Sequence, residues 1–301
     1  MKTFEEYYKK KREEIDQTLR EFIEKESDEN IRMLISYALG GKYFRGVLTC
    51  LVSDLLDGDE EKALRYAVVC EFIQSASLCH DDIIDLDLLR RGKPSLWTVA
   101  SDLIEMKDIK YIVQGFINSL ESRFVSTLKL LMKRHTIPIA ILTGDALITK
   151  AIEISDEDVR NEITKVIHEM LSGVCYEIEK YKNKEVFYKC IKGKTASLFR
   201  FSTWLGWKAA GKPEKYNFVP SIGEKLGLLY QLTDEMVDNE LPSFIDPKVE
   251  IRKVYNEVMT LIDKLPNNEY KEILKEVPLY MIRKLAAEGN KEDEILKIIN
   301  L

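Results

Sequence analysis

No stretch of this 301-residue chain approaches the roughly 20 apolar residues that a membrane-spanning helix needs. Its first residues, MKTFEEYYKKKREE, are too charged for a secretory leader. Cysteine is scarce and unpatterned: Cys50, Cys70, Cys79, Cys175 and Cys190 form no CxxC pair. That odd, irregular set fits buried thiols in a reducing cytoplasm better than a disulfide framework or a zinc site. The three histidines, His80, His135 and His168, are too dispersed to form a catalytic set. Glycine (14) and proline (8) are sparse, and no Pro-, Gly- or Ser-rich linker, repeat or low-complexity tract divides the chain. Cationic charge is not in excess either: 45 Lys and Arg against 51 Asp and Glu give a formal net charge of -6. Such a balance argues against nucleic acid as the main partner. The expectation is a cytoplasmic protein with a single domain over 1–301.

Strand-like alternation is also missing, and helical period takes its place. Phe4, Tyr7, Tyr8, Ile15, Leu19, Phe22 and Ile23 recur at three- and four-residue steps in the first helix, 4–25. Further helices are expected at 28–38, stopping at Gly40-Gly41, and at 46–56 and 60–78. One at 109–134 carries Ile112, Phe116, Leu120, Phe124, Leu128 and Leu131 on a single stripe, and Pro138 opens the next. Ser155-Asp156 reads as an N-cap for a helix through Glu179. Others follow at 194–210, 220–239, 248–263, 268–285 and 291–299. The fold class is therefore all-α, with ten or more helices.

Two apolar helices end in acid. The run EFIQSASLCH leads into Asp81, Asp82 and Asp85, and IGEKLGLLYQL leads into Asp234, Glu235 and Asp238. Asp81 and Asp85 stand at i and i+4 on one helix face, where like charges destabilise by roughly 0.2–0.5 kcal/mol per pair. Carboxylates at a helix C-terminus also oppose the macrodipole. A bound cation would offset both costs, and ligands made only of oxygen suit Mg²⁺ completed by phosphate. A solvated helix end explains either cluster alone; the same violation twice points to metal.

Cations complete the inventory. Lys42 and Arg45 lie in GGKYFR (40–45) at the start of an apolar helix, Arg90-Arg91 follows the first acidic cluster, and Lys194-Thr195 opens another helix. Guanidinium forks and lysine point charges suit phosphate oxygens, as does a helix N-terminus. Each alone is an ordinary surface residue; together with two acidic clusters they read as two diphosphate sites.

In order and spacing, GGKYFR (40–45), DDIID (81–85), RRGKP (90–94), GKTASLF (193–199) and YQLTDEMVD (230–238) resemble the motifs of the trans-polyprenyl diphosphate synthases. SASL before the aspartates, Trp97, KTASLF and LGLLYQ are similar to the archaeal hexaprenyl branch of that family. The resemblance implies the isoprenoid synthase fold around a central cavity and a prenyltransferase joining isopentenyl diphosphate to a geranyl, farnesyl or geranylgeranyl diphosphate. It assigns Asp81 and Asp85 to two Mg²⁺ ions and Asp234 to a third, with Asp82 and Asp238 in support. Arg90 and Lys194 would clamp the allylic diphosphate, Lys42, Arg45, Arg91 and Gln74 would bind isopentenyl diphosphate, and Thr195 and Gln231 would face the reacting carbons. A homodimer and transient membrane contact during product release are further implications. Three departures stand out: Glu235 replaces an aspartate, the lid after Asp238 lacks its lysine (Lys248 is a weak substitute), and residues 100–135 are longer than the family segment.

Product length follows from helix geometry. One helical turn rises about 5.4 Å, close to one extended isoprene unit. Ser77 lies one turn below Asp81 with Ala76 beside it, and both are small where short-chain members commonly carry an aromatic ring. The pocket is expected to continue to Phe72 and Ile73, giving a product near C30. The alternatives are a C20 geranylgeranyl synthase, a terpene cyclase, disfavoured by Asp234, Asp238, Lys42 and Arg45, and a non-catalytic subunit of a heteromeric synthase.

Overall fold

The computed structural model describes residues 3–103, 122–178, 181–289 and Ile298, with side chains beyond Val99 described again from Thr136. The expected stripe from Ile112 to Leu131 and the role of the longer 100–135 segment lie outside these side chains, as does all of the 291–299 helix except Ile298. Among the described residues the chain is helical throughout: α1 Phe4–Glu24, α2 Glu29–Ala38, α3 Phe44–Leu55, α4 Glu60–Ile84, α5 Leu96–Leu103, α6 Ser122–Glu153, α7 Glu157–Ile178, α8 Lys184–Ile191, α9 Ser197–Ala209, α10 Val219–Asp238, α11 Pro247–Asp263 and α12 Glu269–Glu288. The one sheet is an antiparallel pair of two-residue strands, β1 Leu89–Arg90 and β2 Lys93–Pro94.

The expected cap forms: Asp156 Oδ1 accepts the Val159 N–H. Asp28, expected to begin a helix, proves to be a cap as well, its Oδ1 accepting the Asn30 and Ile31 N–H groups that the helix start leaves open. Pro138 departs from expectation, standing inside α6 rather than opening a helix. Its fixed φ is already helical, and the loss is one hydrogen bond plus a steric contact with the preceding turn. Against that loss stands a buried stripe crossing the proline without a break: Thr136, Ala140, Thr143, Leu147 and Ala151. Lys194-Thr195 also departs, since helix begins ten residues earlier at Lys184 and continues through a π turn, Lys192–Ala196, into α9. The Ser197 N–H reaches the Lys192 carbonyl five residues back.

The residues cluster into two compact units. One comprises Met1–Ile15, Tyr43–Cys70 and Ser155–Leu301. Its core gathers Phe187, Ile191, Ala196, Leu229, Leu232, Ile251 and Ile282 from α8 to α12. A second apolar group joins the rings of Phe4, Tyr8, Phe44 and Tyr280, with Phe44 also on Phe199. The other unit comprises Asp16–Lys42 and Glu71–Ile154. In it α2 packs on α5 and α6, Lys150 Nζ lies 2.7 Å from Glu26, and the Tyr37 hydroxyl donates to the Pro94 carbonyl. Cys50, Cys70, Cys79 and Cys190 are buried free thiols as expected, whereas Cys175 is exposed. No described helix is long and apolar enough to cross a membrane.

Candidate active site

In the unit containing α5 and α6, helix α4 runs six residues further than its apolar pattern suggested, to Ile84, and carries the first aspartates on its last turn. Asp85 lies just beyond, its N–H bonded to the Asp81 carbonyl at 2.8 Å. Asp81 is half-buried and Asp85 exposed, so both carboxylates stay within reach of solvent. Asp82 turns inward, only 4% exposed, and accepts the Nε–H of Arg90 at 2.6 Å. Burial pushes its carboxyl above the usual range, and the guanidinium holds back part of that rise. Arg90 Nη2 also reaches Asp82 and donates to Asp87 at 2.9 Å.

The arginine pair belongs to the hairpin. Arg91 and Gly92 are its two loop residues, with φ of +56° and +74°, the positive pair that a type I′ turn requires. Arg91 extends back over Gly41: a Cβ there would stand 2.7 Å from Arg91 Nη2, so a side chain at that position would make the guanidinium shift. Gly40, Ser75, Cys79, Asp82, Arg90 and Arg91 are among the lining of a cavity of about 160 Å³. Burial drives the Cys79 thiol up to about 12, so it stays neutral there.

The expected tail-binding residues occupy different sides of α4. At 100° per residue, Ser77 lies about 40° and Ile73 about 80° from Asp81, Ala76 about 140° and Phe72 about 180°. Ser77 and Gln74 are half-buried, and the Ser77 hydroxyl donates to the Gln74 carbonyl at 2.9 Å. Phe72, Ile73 and Ala76 are at most 2% exposed. Phe72 stands on the side of α4 opposite Asp81, fully buried.

In the other unit, the π turn sets the second group. A Cβ on Gly173 of α7 would stand 2.2 Å from the Lys194 nitrogen, and one on Gly193 would stand 2.5 Å from the Glu169 carbonyl oxygen. Backbone therefore meets backbone, and the contact fixes where Lys194 and Thr195 point. Lys194 Nζ bonds Glu177 at 2.7 Å, while the Thr195 hydroxyl donates to Gln231 Oε1 at 2.7 Å. Gln231 Nε2 in turn donates to Glu235 at 3.0 Å. Glu235 is 7% exposed, and burial raises its carboxyl above the ordinary range, opposed by the Gln231 bond and the Lys194 charge. Asp234 is half-buried and Asp238 exposed at the end of α10. Arg45 lies 4.4 Å over the Phe199 ring, its Nε buried without a hydrogen-bond partner. Lys42, which belongs to the unit containing α5 and α6, is exposed. Lys248 sits in the first turn of α11, which Asp246 caps.

Neither Asp87 nor Glu177 stood out in the sequence, because nothing in its spacing separates them from ordinary helix-end or surface acids. Among the described residues no three His, Cys, Asp or Glu side chains gather into a metal-binding group. The donors nonetheless suit Mg²⁺, which is held by one or two carboxylates with phosphate and water rather than by an all-protein cage. At each acidic helix end the first aspartate is half-buried and the last exposed, within reach of solvent.

Residues 28–244 match the Polyprenyl synthetase family. The chain is 24% identical over 307 aligned residues to the hexaprenyl pyrophosphate synthase of Saccharolobus solfataricus, covering 95% of this chain and 97% of that one. It is 29% identical to heptaprenyl diphosphate synthase component 2 of Bacillus subtilis, over 75% of this chain and 56% of that protein. The backbone is similar to that of a decaprenyl diphosphate synthase from Rhodobacter capsulatus, with a TM-score of 0.71, 17% identity, and coverage of 92% and 96%. A geranylgeranyl pyrophosphate synthetase from Geoglobus acetivorans gives the same TM-score at 18% identity, with coverage of 91% and 98%.

Proposed function

Because the chain belongs to the polyprenyl synthetase family and is a prenyltransferase, we propose that it condenses isopentenyl diphosphate with an allylic diphosphate to an all-trans product near C30. One observation carries the reading. At both acidic helix ends the inner acid is buried against a partner inside the protein, Asp82 on Arg90 and Glu235 on Gln231, while the flanking aspartates are half-buried or exposed.

On this reading the residues of 1–301 form one synthase domain, with Asp81, Asp85 and Asp234 to hold three Mg²⁺ ions and Asp82 and Asp238 in support. Mg²⁺, when bound, offsets charge on the departing diphosphate. Arg90 and Lys194 bind the same diphosphate and stabilise it as the allylic C–O bond breaks, an electrostatic contribution aimed at the transition state. Before substrate arrives, Lys194 is neutralised by Glu177, and it must share or exchange that partner. Lys42, Arg45, Arg91 and Gln74 hold isopentenyl diphosphate so that its double bond meets the allylic carbon. Thr195 and Gln231, bonded to each other, orient the reacting carbons. The proton lost as the new C–C bond forms leaves with the released diphosphate. We further propose that the enzyme works as a cytoplasmic homodimer that touches membrane transiently when it releases product.

Product length rests on the small residues beside the aspartates. Purified protein incubated with Mg²⁺, isopentenyl diphosphate and each allylic primer should yield a C30 endpoint by chromatography. An endpoint at C15 or C20 overturns the length, and Ser77→Phe, on the Asp81 side of the helix, should shorten the product by one or more isoprene units. A second reading has support in the Bacillus relative, whose name makes it one component of a synthase. Absence of product with every primer would favour that heteromeric reading.

A further inference from the structure

Asp87 bonds to both partners of the buried pair at the first acidic site, Asp82 and Arg90. Its N–H donates to the Asp82 carbonyl at 2.9 Å, and its carboxylate accepts Arg90 Nη2 at 2.9 Å. Its own carbonyl accepts two further bonds, from the Ser95 hydroxyl at 2.6 Å and from Trp97 Nε1 at 2.7 Å. Trp97 is 1% exposed, among the largest fully buried side chains, so its indole N–H is aimed by the packing of the whole ring. Ser95 is equally buried, and its N–H closes the loop onto the Leu88 carbonyl at 3.0 Å. A segment with no regular structure between α4 and β1 is thereby tied at both ends and in the middle.

We infer that Asp87, backed by Trp97, is a positioning residue that aims the Arg90–Arg91 hairpin at a diphosphate bound beside the α4 aspartates. Asp82 engages Nε and Nη2 of Arg90, and Asp87 engages Nη2 from the other side. The guanidinium plane is therefore fixed by two acids, and Nη1, which bonds neither, is left for a phosphate oxygen. The Trp97 bond fixes the carbonyl of Asp87 and so the direction from which its carboxylate approaches. Because Arg91 and Gly92 form the hairpin loop, the same constraint sets where Arg91 starts out over Gly41. The inference depends on the proposed function only for the identity of the anion.

The sign of one measurement separates positioning from charge. Asp87 is an anion near an anion site, so if it acted only through its charge, removing it would tighten diphosphate binding. If it aims Arg90, removing it loosens binding despite the relieved repulsion. Calorimetric titration of inorganic diphosphate with Mg²⁺ into the full-length protein should show about tenfold weaker binding for Asp87→Ala, the loss expected for one charge-assisted hydrogen bond. Asp87→Asn, which keeps an acceptor, should recover part of that loss, and Trp97→Phe, which keeps a buried ring without the N–H donor, should weaken binding a few-fold. Unchanged or tighter binding in Asp87→Ala overturns the inference. Should that variant fail to fold, Asp87→Asn decides by the same sign. Wild-type protein that binds diphosphate but makes no prenyl product would sink the proposed function and leave the positioning role intact; wild-type protein that binds none would overturn both.

Discussion

The two acidic helix ends share a spacing, yet they neutralise their inner acid by different means. At the end of α4, Asp82 is paired with a full cation, Arg90, only eight residues further along the chain and braced by Asp87. At the end of α10, Glu235 is met by a neutral amide, Gln231, one turn back on its own helix, and its nearest cation, Lys194, is committed to Glu177. The first end carries its counter-charge on a hairpin made for it. The second relies on a π turn from a distant part of the sequence to bring Lys194 and Thr195 alongside. Equal patterns in sequence thus conceal one inner acid met by a cation and another met by an amide, and the difference can be tested.

The largest effects should come from the outward aspartates, where the two ends ought to behave alike. Asp81→Ala and Asp234→Ala should each lower kcat by about 10³-fold or more in an isopentenyl incorporation assay, the scale of losing a group that stabilises transition-state charge. Losses of similar size mean that both ends serve the same step. A variant of either that retains a tenth of wild-type activity would show that only the other end carries the chemistry.

Removing the inner partners should separate the ends. Arg90→Ala leaves a buried carboxylate beside Asp87 without its hydrogen-bonded cation, though still within the field of Arg91, a loss of about 3 kcal/mol for a broken buried pair. Arg90 is one-third exposed, so water can recover some of that. Gln231→Ala removes one neutral hydrogen bond to Glu235 and one from Thr195, about 1 kcal/mol each. Urea unfolding of the two variants measures the difference directly. Equal destabilisation would mean that the charged pair contributes no more than the amide does.

The same contrast explains what was readable in the sequence. Helices followed from apolar period, because burial of one face decides them, and the cap at Asp156 followed from local chemistry. The pairing of an acidic cluster with Arg90-Arg91 was legible because all of it falls within eleven residues. Three features were not. Pro138 looked like a helix start because a local breaker rule cannot weigh the buried stripe from Thr136 to Ala151 that carries the helix through it. Lys194-Thr195 looked like a helix start for the same reason; the contact of Gly173 with the Lys194 backbone, which accompanies the π turn, is between residues 21 apart. Phe72 and Ala76 were grouped with Ser77 by sequence distance, although helix rotation sends Phe72 to the opposite side. Periodicity reports which face is buried; it does not report what that face meets.

The smallest effect is a pH dependence whose sign differs in consequence between the ends. Burial raises the Glu235 carboxyl above its unfolded value. Between the ordinary carboxylate range and that raised value, the folded protein holds more protons than the unfolded chain, so stability falls as pH rises through the window. The stabilising contribution is complete below the window and lost above it. Glu235→Gln cannot ionise and keeps an acceptor for Gln231, so it should flatten the pH profile of thermal unfolding and stabilise the protein at neutral pH, by under about 1 kcal/mol. Asp82 is raised by burial as well, but its ionised form is the partner of Arg90. Asp82→Asn should therefore flatten the profile without the gain at neutral pH, since it takes from a half-buried guanidinium one of the two carboxylates that bond it. If Asp82→Asn stabilises as much as Glu235→Gln, the two ends are electrostatically equivalent and the distinction drawn between them fails.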